Sequence, residues 1–422
     1  MNTATRVQLS IMMFLQYFIW GAWSVTLASY LLAEGFTGAQ VSLAYTSTAW
    51  AAIISPFFMG MIADRFFDAQ RILGALHLLG AVLMFAATFI ATPIAFFIVL
   101  LLYAACYMPT IALTNSIAFN QMENTEKEFP LVRVLGTIGW IVAGWSIVVV
   151  GAALYGETIE PTSIPLQIAA ACSLLMGLYS FSLPKTPPRA AGQTVTVREV
   201  LGLDALSLLK ERSFAVFVGA SLLICIPLAF YYNYTNPFLH DAGVANPAGV
   251  MTLGQVSEAV FLFLMPFFFI RLGVKYMLLT GMVFWAARYA LFAFGYEGDI
   301  VWMFYLGVIF HGICFDFFFI TGQIYVDNKA PAHLRSSAQG FIALVTYGVG
   351  MVIGFFVAGA VVDAYTVEEI RQWRGIWMIP AVMAFIVAVA FAIFFNDKSK
   401  AALAPEAVEE TPAQEEPPPV QP

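Results

Sequence analysis

Apolar stretches about as long as a bilayer is thick recur along almost the whole chain, with short polar segments between them. An α-helix needs about 20 mostly apolar residues to cross the hydrocarbon core of a membrane. Stretches 72–91 and 94–119 are separated only by Thr-Pro, but a merged helix would be far longer than a bilayer requires. The pattern predicts twelve transmembrane helices, numbered here as spans 1 to 12, near residues 8–32, 41–63, 72–91, 94–119, 132–154, 164–183, 213–236, 249–270, 276–295, 301–325, 336–362 and 375–395.

The composition agrees with this pattern. Of the 422 residues, 61% are hydrophobic and 11% are charged, and the mean hydropathy is +0.83. A soluble domain carries about 25% charged residues, so the sequence predicts an all-α integral membrane protein in contact with lipid. The net charge of −7 lies mainly in the loops and the C-terminal tail, and it indicates no nucleic-acid partner.

The polar segments indicate an orientation in the membrane. Lys and Arg concentrate in the cytoplasmic loops of membrane proteins. If both termini are inside, the outer loops hold only Arg371 and Arg374. We therefore expect a multi-pass protein with both termini in the cytoplasm. No cleavable signal peptide is evident, because the first apolar stretch is long enough to span.

The longest polar segment divides the spans into six and six. It predicts an N-terminal six-helix bundle at 1–183, a cytoplasmic linker at 184–212 and a C-terminal six-helix bundle at 213–396. The linker ends in VREVLGLDALSLLKER, the pattern of a short amphipathic helix on the membrane surface. Residues 397–422 are rich in Pro and Glu and are expected to form a disordered tail. Two six-helix bundles joined by a cytoplasmic linker are the plan of the major facilitator fold.

The loop between spans 2 and 3, GMIADRFFDAQR, resembles a short gating motif of that fold. Glycine lets two helices approach closely, and an acidic residue can pair at a facing helix end. The corresponding segment of the second half, IRLGVKYM, keeps only the glycine and the basic residues. The motif indicates architecture and gating rather than substrate, and its predicted residues are Gly60, Asp64, Arg65 and Arg71.

Four ionisable residues lie within the predicted spans or at their edges: Arg133, Glu258, Arg288 and Asp316. Each costs about 2.5–3.5 kcal/mol to place at the centre of a membrane helix, and such residues usually face a cavity or a partner. Two are basic and two are acidic, so complete internal pairing is one interpretation. Internal pairing is the most natural explanation for Arg288, because Tyr289 is its only polar neighbour along the chain.

Helical spacing groups these residues with other polar and aromatic side chains. Arg133, Thr137 and Trp140 share one face of span 5. Gln255 and Glu258 are neighbours on span 8. Aromatic, amide and carboxylate groups that cluster on several spans are harder to explain by packing than a lone aromatic stripe. The pattern therefore favours a binding site in the interior of the bundle.

Asp316 lies at α-helical spacing from Phe319 and Gln323, with Phe315 beside it. Phenylalanines around a carboxylate remove its water, so we expect Asp316 to be neutral during part of a transport cycle. Flat rings stack on aromatic side chains, and hydroxyls bind amides and carboxylates. The lining thus predicts a polar, ring-bearing solute. Span 7 adds further polar groups in FYYNYTN, namely Tyr231, Tyr232, Asn233 and Asn236.

The histidines and cysteines indicate neither a metal centre nor a cofactor. The four histidines are scattered without ligand spacing. The four cysteines each lie within a predicted span, where we expect buried apolar residues rather than a disulfide framework. The GxSxG, HExxH and Walker-type motifs of enzymes are absent from the sequence. We therefore expect no enzyme activity, no metal and no cofactor.

Long stretches of the chain resemble the nucleoside/proton symporters of the major facilitator superfamily. The resemblance implies uptake of nucleosides across an inner membrane, driven by the proton gradient. It runs from span 1 to span 12, and it is carried by the stretches FLQYFIWGAWSVTLASYL, YMPTIALTNSIAF, FPLVRVLGTIGW, GQVSEAVFLFLMPFF, ICFDFFFITGQIYV and SSAQGF.

The resemblance also implies roles for individual residues. Asp316 would be the main proton carrier, with Glu258 as the second carboxylate. The ribose hydroxyls would bind Glu258 and Gln255, and the base would lie near Phe315 and Trp140. Trp140 stands where the family commonly has Phe. The positions that match the binding residues of the family are Arg133, Thr137, Gln255, Glu258, Phe315 and Asp316.

Span 7 departs from the family, whose members commonly carry Gln and Asn at the positions that align with Ala229 and Tyr232. Asn233 or Tyr231 could replace one of these contacts. The departure leaves open the base preference, and it leaves open another ribose-like or sugar substrate. The other interpretations are a sugar facilitator, an exporter of aromatic compounds, a membrane enzyme and a receptor that binds without transport. We expect a monomer.

Overall fold

The computed structural model describes residues 1–58, 67–187, 202–331 and 334–396. In this part the regular secondary structure is helical apart from one short β-hairpin. The helices of the first half are Thr3–Ser24 with Leu27–Ala33 (span 1), Gly38–Phe58 (span 2), Ala69–Ala87 (span 3), Pro93–Asn120 (span 4), Thr125–Val150 with the π-helical turn Gly151–Tyr155 (span 5), and Ile164–Ser180 (span 6).

The second half follows the same plan with more interruptions. Two short strands, Thr366–Val367 (β1) and Ile370–Arg371 (β2), pair antiparallel between its last two spans. Its helices are Arg212–Asp241 (span 7), Pro247–Glu297 (spans 8 and 9), Val301–Ile309, His311–Phe315, the π-helical Asp316–Ile320 and Thr321–Lys329 (span 10), Arg335–Ala343, the π-helical Leu344–Gly350 and Met351–Ala364 (span 11), and Trp373–Phe394 (span 12).

The helix Pro247–Glu297 contains two spans, which are divided at Gly273. The backbone of Gly273 has φ 64° and ψ 175°, a conformation open to glycine because it has no Cβ. In the described part of the chain, nine helices are long and apolar enough to cross a membrane, and this helix is one of them. Counting it twice and adding Gly38–Phe58 and Ile164–Ser180 confirms the twelve predicted spans.

Local sequence signals mark where several spans begin. The side chain of Asn2 accepts a hydrogen bond from the backbone nitrogen of Thr5 at 2.8 Å, which caps span 1. Asn124 caps span 5 in the same way. Pro93 occupies the first turn of span 4, where its missing N–H leaves no hydrogen bond unmade. The polar segments seen in the sequence are therefore also the helix boundaries.

Each half is a six-helix bundle, and the two bundles meet face to face in the major facilitator fold. Span 1 packs against span 5 and span 3 against span 6 in the first half, while span 7 packs against spans 11 and 12 in the second. Across the interface, span 2 packs against span 11 and span 5 against span 8. This arrangement brings the polar faces predicted for spans 5 and 8 together at the centre of the molecule.

Hydrogen bonds join the halves at the end of the bundle that lies opposite the termini, here called the distal end. The Glu160 carboxylate follows span 5 and is 1% exposed. It accepts hydrogen bonds from Asn236 Nδ2 at 2.7 Å and from the backbone nitrogen of Ala248 at 3.1 Å. Ser29 Oγ donates to Asn236 Oδ1 at 2.5 Å. Burial raises the pKa of the Glu160 carboxyl, although both hydrogen bonds oppose this rise.

A second cluster at the distal end caps a helix of one half with a side chain of the other. Asp363, at the end of span 11, accepts hydrogen bonds from the backbone nitrogens of Gly38 and Ala39 at 2.5 and 2.8 Å. These are the first N–H groups of span 2, which have no partner within their own helix. Tyr234 of span 7 donates to the carbonyl oxygen of Gly38 at 2.8 Å. The two clusters hold the halves together at this end.

Parts of three predictions fall outside the described residues. Arg71 of the gating motif is described: it is exposed, near the start of span 3, with Nε 3.6 Å from the carboxylate of Asp68. The described part of the predicted linker helix, Leu203–Lys210, is a 3₁₀ helix. Outside the description lie Gly60, Asp64 and Arg65 of the gating motif, residues 188–201 of the linker, and the tail at 397–422.

Candidate functional site

Span 5 contributes a cation and an aromatic ring to the centre of the molecule. The Arg133 guanidinium lies 4.0 Å from the centre of the Tyr17 ring on span 1, a cation–π contact. The Trp140 ring centre lies 5.7 Å from that of Trp20, also on span 1. Arg133, Thr137 and Trp140 are all half-buried. The three residues predicted to share one face thus form one wall, with span 1 behind it.

Two carboxylates belong to the opposite wall. Glu258 on span 8 is 29% exposed and lies close enough to Arg133 for the two charges to interact. Asp316 on span 10 is 1% exposed, and it interacts electrostatically with Glu258. Within the described residues, Asp316 Oδ2 has no hydrogen-bond partner. Gln255 lies one turn before Glu258 and is half-buried. The carboxylates of spans 8 and 10 therefore form an acidic pair.

Internal ion pairing of the four ionisable residues is not observed in the described part of the chain. Within 4 Å, the recorded contact of the acidic pair is between Glu258 Oε2 and His311 Nε2, at 3.9 Å. The two arginines lie on aromatic rings instead. The guanidinium of Arg288 is 3.5 Å from the centre of the Tyr231 ring. Complete mutual neutralisation is therefore the wrong interpretation of these charges.

Asp316 begins a π-helical segment, Asp316–Ile320. Such segments wind more widely than an α-helix and occur frequently at functional sites. The face predicted from α-helical spacing is consequently not kept. Phe319 is buried against the rings of Phe315 and Tyr347, with ring centres 5.0 and 5.4 Å away. Gln323, predicted on the same face, is exposed.

The two tyrosines of span 7 surround the imidazole of His311. The ring centre of Tyr231 lies 5.0 Å from that of His311, and the planes are nearly parallel at 17°. Tyr232 lies 6.4 Å away with its ring edge-on. Tyr231 is buried, whereas Tyr232 is half-buried. Both predicted residues therefore lie beside the acidic pair, with His311 between them and Glu258.

The remaining polar residues of span 7 point elsewhere. Asn233 Nδ2 donates to Ser42 Oγ of span 2 at 3.3 Å, which places Asn233 at the interface between the halves. Asn236 belongs to the distal cluster. Ala229 packs against span 11, where a Cβ on Gly354 would lie 2.8 Å from the Ala229 methyl. Ala229, which stands where nucleoside/proton symporters commonly have Gln, therefore packs closely against span 11.

Spans 8 and 10 cross at unusually short range, and this crossing positions Glu258. A Cβ on Gly312 would lie 2.5 Å from the backbone nitrogen of Glu258, and one on Gly254 would lie 3.1 Å from the Cβ of His311. Ser257 Oγ donates to the carbonyl oxygen of Ile309 at 2.5 Å across the same crossing. Glycine at these two positions lets the two helix backbones touch. The side chains of Glu258 and His311 meet for this reason.

A large cavity lies away from these residues. It has a volume of about 830 Å³ and lies between spans 1, 5 and 6, lined by apolar side chains such as Leu131 and Leu135 with Arg6 and Tyr179 among them. No carboxylate contributes to its lining. A groove of this composition suits acyl chains better than a polar solute. The candidate site is therefore the polar centre between the halves.

The comparison with known families identifies the chain. The profile of a family described as Nucleoside H+ symporter matches residues 1–400. This chain belongs to the nucleoside H+ symporter family. The symporter is 44% identical to YegT of Escherichia coli K12, a candidate nucleoside transporter, over 93% of this chain and 94% of the relative. It is 36% identical to the xanthosine permease of the same organism, over 93% and 96% of the two chains.

Solved structures agree with the fold. A crystal structure of the nucleoside transporter NupG superposes with a TM-score of 0.85 at 33% identity, covering 94% of the symporter and all of that chain. Peptide transporters such as PepTSo match at 13% identity with a TM-score of 0.70, which supports the fold alone. The symporter is therefore a multi-pass membrane transporter rather than an enzyme, and its activity is proton-coupled nucleoside transport.

Sequence reasoning missed four neighbours of the site: Tyr17, Trp20, His311 and Tyr347. The energetic argument that singled out Asp316 applies to His311 as well, since an imidazole is also costly to bury in an apolar span. The three aromatic residues gave no usable signal, because aromatic side chains are common in all spans of this chain. Their proximity to the site arises from helix packing between distant parts of the sequence.

Proposed function

We propose that this symporter imports nucleosides across the inner membrane by alternating access, with both termini in the cytoplasm and a proton as its coupling ion. The distribution of Lys and Arg supports this orientation, because the loops assigned to the outside hold only Arg371 and Arg374. The proton gradient across an inner membrane favours inward movement of protons and thus of any solute that moves with them.

The nucleoside binds between the two walls at the centre of the molecule. Its ribose hydroxyls bond to Glu258 and Gln255, since carboxylates and amides bind hydroxyl groups well. Its base stacks near Phe315 and Trp140, whose rings are half-buried. Asn233, whose amide donates to Ser42, is left out of the site. Both walls supply further contacts, and the proposed set of binding residues is Arg133, Thr137, Trp140, Tyr231, Tyr232, Gln255, Glu258, Phe315 and Asp316.

The acidic pair is the observation that carries the proposal. Glu258 and Asp316 lie near each other in lipid-embedded helices, and Asp316 has neither a cation nor a hydrogen-bond donor at Oδ2 among the described residues. Two neighbouring carboxylates in such surroundings repel each other unless one holds a proton. Asp316 is the main proton carrier and Glu258 the second. Protonation lowers the cost of closing the cavity around the nucleoside.

The distal contacts indicate which side of the site is shut. The recorded hydrogen bonds between the described residues of the two halves involve Ser29, the start of span 2 and Glu160 on one side. All these groups lie at the distal end, which is the outer end in the proposed orientation. The conformation is thus closed to the outside, and import requires these contacts to break and re-form in each cycle.

Uptake into proteoliposomes tests the coupling. Labelled uridine is offered with an inward proton gradient, with and without a proton ionophore. We expect accumulation above the external concentration with the gradient, and equilibration only when the ionophore is present. The same rate and the same final level in both conditions would contradict proton-driven import.

A competition panel tests the substrate class in the same vesicles. Purine nucleosides including xanthosine, pyrimidine nucleosides and hexoses are each added in excess to labelled uridine. We expect the nucleosides to inhibit uptake and the hexoses to have no effect. Inhibition by a hexose but by no nucleoside would favour the sugar facilitator. Binding without any flux would favour the receptor.

A further inference from the structure

Arg288 is a cation within the second half that forms no ion pair with any carboxylate of the described residues. It is fully buried, and Nε and Nη2 have no hydrogen-bond partner among the described residues. Its guanidinium lies over the Tyr231 ring at 3.5 Å. Arg288 Nη1 also lies 3.5 Å from His311 Nδ1. Arg288 therefore contacts two groups that face the site, the Tyr231 ring and the His311 imidazole.

The contact with Arg288 determines which nitrogen of His311 carries hydrogen. An arginine side chain can only donate, so His311 Nδ1 must accept. The ring hydrogen of neutral His311 then lies on Nε2. Nε2 faces Glu258 Oε2 at 3.9 Å. Arg288, His311 and Glu258 thus form a directed chain in which each group presents a donor to the next.

The surroundings of His311 restrict its movement. The imidazole is 2% exposed and stacks on Tyr231, and its backbone lies at the close crossing of spans 8 and 10. Glu258 is 29% exposed, so its carboxylate can still meet a solute. A rigid donor behind a partly open carboxylate selects one orientation of that carboxylate. The gap of 3.9 Å is longer than a hydrogen bond and can shorten when substrate fills the site.

We propose that His311 is a positioning residue that orients the Glu258 carboxylate toward the nucleoside, with Arg288 holding the imidazole in the tautomer that donates from Nε2. The inference rests on the proposed binding of ribose hydroxyls at Glu258. It predicts a loss of nucleoside affinity when the Nε2 donor is removed. The capacity for turnover depends on it much less, because the proton carriers remain.

Three substitutions of His311 test the tautomer. The amide nitrogen of glutamine reaches the position of Nε2, whereas that of asparagine reaches only the position of Nδ1. For uridine uptake we expect H311Q to keep KM within about threefold of the parent, and H311N and H311L to raise it about tenfold, the effect of one lost bond to a charged group. Vmax per folded transporter, counted after gel filtration, changes less than KM in all three. If H311L does not fold, H311Q against H311N decides.

A double-mutant cycle with E258Q tests whether His311 acts through Glu258. We expect E258Q to raise KM, and H311L to add no more than about twofold in the E258Q background. If the KM increases caused by H311L and E258Q multiply in the double variant, the two residues act independently and the inference is overturned. Equal KM values for H311Q and H311N would overturn it as well. If E258Q raises KM but H311L does not, the positioning role alone fails. If E258Q leaves KM unchanged, the proposed binding at Glu258 fails and the inference fails with it.

Discussion

The two halves of the symporter share a fold but bring different chemistry to the site. The first half presents Arg133 and the aromatic rings of spans 1 and 5. The second half presents the acidic pair, Glu258 and Asp316, and keeps Arg288 buried behind it. In the proposed mechanism this difference separates two tasks: the wall of the first half recognises the solute, while the wall of the second half both recognises it and exchanges protons.

The two arginines show the same division within one residue type. Arg133 is half-buried and stacks on Tyr17 at the centre of the molecule, where a solute can meet its guanidinium. Arg288 is fully buried and lies behind the Tyr231 ring and the His311 imidazole. A cation in a membrane helix is therefore not by itself evidence of substrate contact. Exposure to the interface between the halves distinguishes the two cases.

The largest expected effect comes from removing the proposed proton carrier of the second half. Asp316→Asn cannot take up a proton, so we expect accumulation against a gradient to be abolished, while exchange of labelled for unlabelled uridine across the membrane persists. Concentrative uptake and counterflow in the same proteoliposomes measure the two activities. Full gradient-driven accumulation by this variant would show that the proton is carried elsewhere.

The next prediction concerns Arg133 in the wall formed by span 5 of the first half. Arg133→Gln removes the cation opposite Glu258, and we expect KM for uridine to rise about tenfold, with proton dependence retained. Arg133→Lys keeps the charge but loses the planar group that stacks on Tyr17, so its KM should lie between those of the parent and Arg133→Gln. Initial rates of uptake over a range of uridine concentrations measure both. Loss of proton coupling in Arg133→Gln would contradict the division between the halves.

Glu160 joins the halves and should make the distal closure depend on pH. Its pKa is raised from the ordinary 4.5 by burial in the closed conformation, so the closed form binds a proton more tightly than an open form in which Glu160 is hydrated. Closure is thus favoured fully below pH 4.5, and this preference is lost as the pH rises through the raised pKa.

Hydrogen exchange at the backbone of Ala248, which bonds to Glu160, measures this closure. As the pH rises above 4.5 we expect protection in the parent to fall relative to Glu160→Gln, which cannot ionise. Comparing both proteins at each pH cancels the intrinsic pH dependence of exchange. A constant ratio across the range would show that Glu160 does not titrate in this closure.

The smallest effect concerns the ring at Trp140. Trp140→Phe keeps an aromatic surface next to Trp20 but reduces its area, so we expect KM to change by less than about threefold. Because a purine covers more of the ring than a pyrimidine, the KM for adenosine should rise more than the KM for uridine. Equal changes for both nucleosides would place the base away from Trp140.

The fold was predictable because hydrophobic length alone limits what a chain can do in a membrane. Twelve apolar stretches separated by polar segments are compatible with few architectures other than twelve transmembrane helices. The break between spans 8 and 9 falls at Gly273, within a basic segment that is visible in the sequence. The linker was harder to predict. Leu203–Lys210 has the composition of an amphipathic helix, but periodicity does not distinguish a 3₁₀ helix from an α-helix over eight residues.

The residues of the candidate site that the sequence indicated were those whose burial in a membrane costs free energy, rather than those defined by geometry. Arg133, Glu258 and Asp316 were found because ionisable groups are expensive to bury in a bilayer. The grouping by faces held for span 5 but not for span 10, where a π-helical segment follows Phe315 and alters the spacing toward Gln323. The neighbours supplied by other helices, such as Tyr347, depend on tertiary packing that one sequence does not reveal.

The glycines at the crossing of spans 8 and 10 have a consequence for the whole cycle. With Gly254 and Gly312 in backbone contact with the facing helix, neither span can slide or turn past the other without a clash. We therefore expect spans 8 and 10 to move as one unit and to carry both carboxylates together from one side of the membrane to the other. The conformational change of the transport cycle then falls at the interface between the two bundles.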